Sequence, residues 1–129
     1  MKRIMILSSS FTGHGHQSIA QAVCERLEEY PDVLYEVVDG FSLIGKAGIN
    51  MSKMYGSITR KAKDLWKVSY ALLDQHPDAL MRPLAVAIHD RFLRRLDAFD
   101  PDMILTVHPF FNGSVMDILD YYGIDIPFY

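Results

Sequence analysis

The chain has 129 residues, half of them hydrophobic, with 13 basic and 16 acidic side chains and a formal net charge of -3. That length and apolar content suffice for one domain with a real core, and leave no room for a second. A single cysteine, Cys24, excludes an internal disulfide framework and any metal site built on paired cysteines, and it points to a reducing compartment.

Taken in chain order, the apolar run Ile4 to Leu7 predicts a buried strand over residues 3–8. Four apolar residues behind Lys2 and Arg3 are too few for a signal-peptide core. No window approaches the roughly 18 apolar residues of a membrane span, so the expectation is a protein neither secreted nor integral. The stretch Ser8 to His16, SSSFTGHGH, follows this strand, and Ile19, Ala20, Ala22, Val23 and Leu27 then recur at helical spacing until Pro31. Small residues and glycines let the backbone turn sharply after the strand, and a helix that starts there aims free N–H groups into the crevice.

Val33 to Val38 predicts a second strand closed by Asp39 and Gly40, and five Gly or Pro residues from Pro31 to Gly56 mark loops inside the domain. A long helical pattern covers Met51 to about Leu73, and another helix begins near Pro83, a residue suited to a first helical position, and runs to Phe99. Met103 to Val107 reads as a third strand, Asn112 to Tyr122 as a helix closed by Gly123, and Ile124 to Tyr129 as the beginning of another strand. Strands separated by helices require crossover connections, which predicts an α/β, Rossmann-like open parallel sheet with helices on both faces. No internal repeat, low-complexity segment or linker interrupts it. The sequence closes on the apolar run IPFY with no polar tail, which carries the expectation that a C-terminal half follows residues 1–129.

Open α/β sheets hold ligands at the carboxyl ends of their strands, so Ser8 to His16 and His108 to Gly113 should face one crevice. The first loop carries Gly13-x-Gly15, but Ser18 stands where a dinucleotide fingerprint has glycine, and the Gly-Lys-Ser/Thr ending of a P-loop is missing. Asp39 does occupy the ribose-binding place of a dinucleotide site, which keeps a nucleotide-binding Rossmann-type domain as an alternative. His16 falls where the loop becomes a helix. The positive end of the helix dipole disfavours imidazolium there, which suits a general base; the plainer alternative is a polar helix-capping residue. His76 precedes Pro77 in a turn and His89 lies beside Asp90 within a helix; neither makes a metal site with His14, His16 or His108. Arg91, Arg94 and Arg95 read as the solvated face of their helix.

A strand followed by Ser-x-x-x-Gly-x-Gly-His and an alanine-rich helix, then Pro101-Asp102-Met103-Ile104 leading to Thr106-x-His108-Pro109-Phe110, and finally Ile126-Pro127, form a specific combination. Over essentially the whole chain it resembles the N-terminal domain of the monogalactosyldiacylglycerol synthase and processive diacylglycerol glucosyltransferase family, which has the GT-B fold. The resemblance implies the lipid-acceptor half of an inverting hexosyltransferase that moves galactose or glucose from a UDP-sugar to diacylglycerol in glycolipid synthesis. It implies no cofactor, a UDP-hexose donor bound mainly by a C-terminal domain in cis, and a cytoplasmic location on the inner face of the membrane. Carried onto these positions, the family's loop glycines fall on Gly13 and Gly15 and its catalytic histidine on His16, which would take the acceptor hydroxyl's proton. His108, Phe110 and Asn112 would line the acceptor side. For His108 a buried histidine that fixes the His-Pro turn is the equal alternative, and His14 fills a variable slot with no assigned role.

The segment Lys46 to Lys67 holds six basic residues and one acid, leaving seven and fifteen elsewhere. On a helical wheel Met51, Met54, Tyr55, Ile58, Ala62, Leu65 and Trp66 share one face, with Lys53, Arg60, Lys63 and Lys67 opposite. An apolar stripe backed by cations suits contact with an anionic membrane surface, which also allows a stand-alone membrane-binding module; the plain alternative is a core stripe with a solvated face. A pI near 5.9 and the lack of aromatic-basic interleaving elsewhere argue against nucleic acid.

Overall fold

The computed structural model describes residues 1–9, 14–45, 78–108 and 111–129, with isolated helical positions at 67, 71 and 75. For residues 14–16 and 78–82 the description covers the backbone only. The elements are β1 (Lys2–Ser8), α1 (His14–Leu27), β2 (Val33–Asp39), a 3-10 turn (Gly40–Leu43), α2 (Asp78–Phe99), β3 (Met103–Thr106) and α3 (Asn112–Tyr121).

All three strands are parallel, in the order β2-β1-β3. The expected Rossmann-like open sheet is therefore present, with β1 at its centre, and five consecutive residues of β1 are buried. Its alternation sorts the two faces. Met5 and Leu7 join Val38, Ile88, Phe92, Ile104, Phe111 and Val115 in the main core, under α2 and α3. Ile4 and Ile6 are buried outside that cluster, on the face where α1 packs and buries Ala20. Phe92 and Ile88 are fully buried and four residues apart, which gives α2 its core-facing stripe.

The helix ends follow local chemistry. α1 stops at Leu27, ahead of Pro31. α2 stops where Asp100 turns left-handed at φ 51° and its N–H donates to Leu96 O at 2.8 Å, with Pro101 next. Gly123 adopts φ 63° after α3; its N–H donates to Asp120 O, and that of Ile124 donates to Leu119 O. This paired closure is a Schellman motif.

One expectation needs correction. Pro83 is not at the start of its helix: α2 begins at Asp78 and Pro83 lies inside it. The proline is exposed, so its ring meets water rather than a packed neighbour, and the helix forgoes one backbone hydrogen bond there. The run Ile124 to Tyr129 does begin a strand, but only at its end: Phe128 bridges Ile104 in parallel, with Ile104 N donating to Pro127 O, Tyr129 N to Ile104 O and Thr106 N to Tyr129 O. The helical pattern from Met51 to Leu73 lies outside the described residues except at Lys67 and Ala71.

Arg3 ties the start of β1 to the entry of β3. Its backbone N–H donates to Asp102 Oδ2 at 2.9 Å, and Asp102 N returns a bond to Arg3 O at 2.8 Å. Its Nε donates to Phe99 O, while the guanidinium stands 5.0 Å from the centre of the Phe99 ring.

Candidate functional site

Register brings the carboxyl ends of the strands to one rim. Ser8 pairs with Asp39 on β2, Leu7 pairs with Thr106 on β3, and Val107 N donates to Leu7 O at 3.0 Å. The residues beyond these ends, Ser9, Gly40 and His108, are all buried.

At the β2 end, Asp39 caps the 3-10 turn by accepting from Phe41 N at 2.9 Å, and Ser42 Oγ donates to Asp39 O at 2.6 Å. That capping bond occupies one oxygen of the carboxylate that a dinucleotide reading would direct at a ribose. At the β3 end, Thr106 Oγ1 donates to His108 O at 3.0 Å and accepts from His108 N at 3.3 Å, so the hydroxyl shapes the turn that leads to α3. Phe41, His108 and Phe111 form an aromatic cluster. Ring centroids are 5.8 Å apart for Phe41 and His108, 4.9 Å for Phe41 and Phe111, and 5.9 Å for His108 and Phe111. His108 is only 5 % exposed, so its ring is part of this wall.

Among the described residues two polar atoms here have no partner: Ser9 Oγ and Asn112 Oδ1 are buried without a hydrogen bond. Leaving such an atom unpaired costs about 1–3 kcal/mol, so an orphan beyond β1 and another at the start of α3 call for a physical reason. Asn112 opens α3, whose N-cap Phe111 supplies no side-chain cap. Asn112 Oδ1 itself takes no helix N–H among the described residues.

Of the residues singled out from sequence, His16 and Gly15 lie in the first turn of α1, just beyond β1, where the backbone N–H groups have no intrahelical acceptor. Asn112 is half-buried and Lys67 is helical and exposed. Gly13, Phe110, Met51, Lys53, Met54, Arg60, Lys63 and Trp66 lie outside the described residues. Arg91, Arg94 and Arg95 are exposed as expected, but two of them also tie elements together: Arg95 pairs with Glu36 on β2, and Arg91 Nη1 donates to Ile44 O at 3.4 Å. Ser9, Phe41 and Phe111 carried no sequence signal beyond their proximity to the strand ends.

Burial, seconded by the Glu28 charge, pushes the Cys24 thiol up, away from a reactive thiolate. Tyr35 donates to Glu28 Oε1 at 2.8 Å, and that bond is the first cause of its phenol being pushed up to about 12. Among the described residues no group of three or more His, Cys, Asp or Glu side chains could hold a metal ion, and no helix is long and apolar enough to cross a membrane.

A second concavity, of about 630 Å³, lies between α2 and α3. His89 is in its lining: Nδ1 is 2.8 Å from Asp90 Oδ1 and Nε2 is 2.5 Å from Tyr122 Oη. Tyr122 is 33 residues away, beyond the reach of any local spacing rule.

The three parallel strands and the helices on their two faces define an α/β open sheet of the Rossmann-like class. No protein-family model matches the sequence, no curated protein matches it, and no solved structure matches the fold.

Proposed function

We propose that this chain is the acceptor-binding half of an inverting glycosyltransferase that moves a hexose from a UDP-sugar to diacylglycerol. The observation that carries the reading is the strand-end rim, where His16 lies in the first turn of α1 and the buried, unpartnered atoms Ser9 Oγ and Asn112 Oδ1 lie beyond β1 and at the start of α3. A hydroxyl acceptor needs a neutral base, and a histidine in the first turn of a helix is held towards its neutral form by the helix dipole. The imidazole takes the hydroxyl proton as the oxygen bonds to the anomeric carbon. The bond from that carbon to the UDP oxygen breaks on the opposite side, and UDP leaves with the electron pair. The buried aromatic wall of Phe41, His108 and Phe111 backs the rim with apolar surface, in keeping with a lipid acceptor.

The donor is assigned to a C-terminal domain in cis, and membrane contact to the basic segment that includes Lys67. The test is turnover by the complete polypeptide that carries this chain, with diacylglycerol in anionic vesicles and either UDP-glucose or UDP-galactose. Hexosyl-diacylglycerol should form, and His16→Ala should lower kcat about 10²–10⁴-fold, the usual contribution of a general base. Unchanged turnover in His16→Ala would remove the base assignment. Failure to form glycolipid from either donor would overturn the reading.

A further inference from the structure

We infer that the groove between α2 and α3 is a binding site for a small organic ammonium ion, separate from the strand-end rim. Two helical stripes line it. Val86, His89 and Asp90 come from α2, and Asp117, Tyr121 and Tyr122 from α3. Residues four apart on one helix stand side by side, so Asp117 and Tyr121 share a face, as do Val86 and Asp90. A volume of about 630 Å³ falls in the range of small-molecule sites.

Its chemistry favours a cation. Among the described residues the lining carries two carboxylates, Asp90 and Asp117, and no lysine or arginine. Asp90 is partly committed: its bond to His89 holds its carboxyl below the usual range, and Arg94 and Arg91 add to this from its flank. Asp117 enters no ion pair among the described residues. Tyr121 and Tyr122 pack edge to face, with rings at 82° and centroids 5.0 Å apart, and Tyr121 is 82 % exposed, which leaves ring surface open to the groove. Tyrosine faces attract ammonium groups, and quaternary ammonium ions are held by such aromatic walls.

The His89 chain strengthens one of these walls. In a neutral imidazole the Asp90 carboxylate requires the proton on Nδ1, so Nε2 accepts from the Tyr122 hydroxyl. A phenol that donates its proton to imidazole gains electron density in its ring, which deepens the attraction for a cation on its face. The same bond fixes Tyr122 against α2.

The probe is choline, compared with its uncharged carbon isostere, 3,3-dimethylbutan-1-ol, and titrated into the folded chain while amide NMR shifts are followed. Choline should move resonances of α2 and α3 around the groove, and the isostere should bind about tenfold more weakly. Tyr121→Leu and Asp117→Asn should each weaken choline about fivefold. Both positions are exposed, and unchanged amide shifts elsewhere would report an intact fold. Equal affinity for choline and the isostere, or unaltered affinity in both variants, would overturn the assignment, as would shifts confined to other surfaces or no shifts at all.

Discussion

Gly40 lies flat against the ring of Phe111: a Cβ at Gly40 would stand 2.5 Å from Phe111 Cδ2 and Cε2. The contact joins the end of β2 to the start of α3 and lets Phe111 complete the aromatic wall with Phe41 and His108. Phe111 is 1 % exposed, so its ring has no solvent-filled space into which to swing.

Gly40→Ala should therefore destabilise the fold by about 1–3 kcal/mol through overpacking, read as a lowered urea midpoint. Phe111→Leu opens the space that this methyl needs. The double variant should lose less than the sum of the two single losses, by about 0.5 kcal/mol or more. Simple additivity would show that the two positions do not press on each other.

Ser9→Ala should leave stability unchanged or raise it, by up to about 1 kcal/mol, because it removes a buried hydroxyl with no partner. Under the proposed acceptor reading the same change should raise KM for diacylglycerol in the turnover assay, because the hydroxyl would lose a ligand contact. A clear loss of stability in Ser9→Ala would mean that the hydroxyl already serves the fold.

Tyr35 sets a limit at alkaline pH. Its phenol is pushed from 10 to about 12 in the folded chain, first by its hydrogen bond to Glu28, so the folded state holds this proton more tightly than the unfolded state. The contribution is complete below pH 10 and is lost as pH rises towards about 12. Ultraviolet titration near 295 nm should show one late-ionising phenol that is missing in Tyr35→Phe. That variant should also lose less stability than the wild type over the same interval.

Local chemistry made much of the architecture readable. The apolar run of β1, the Asp39-Gly40 stop and the glycine after α3 act on their immediate neighbours, and each appears where the residues predict. Pro83 misled because proline is favoured at a helix start, whereas here it lies inside the helix, at the cost of one backbone hydrogen bond and crowding of the carbonyl four residues back. His16 could be assigned to a helix start from a loop signal alone. The bond from His89 to Tyr122 could not, since it arises only when α2 packs against α3. Burial of His108 is one of two equal readings from sequence, and in the described chain its ring packs against Phe41 and Phe111.

The bonds between Arg3 and Asp102 bear on how the protein is made. Residues 2–8 leave the ribosome long before the strand that flanks them at 103–106, and at 5–20 residues per second the interval is roughly 5–20 s. Throughout it, Ile4 to Leu7 can pair with β2 but must keep the opposite edge of the central strand open. A nascent chain of this design spends those seconds with an apolar strand edge on offer, longer than a chain whose neighbours in space are neighbours in sequence.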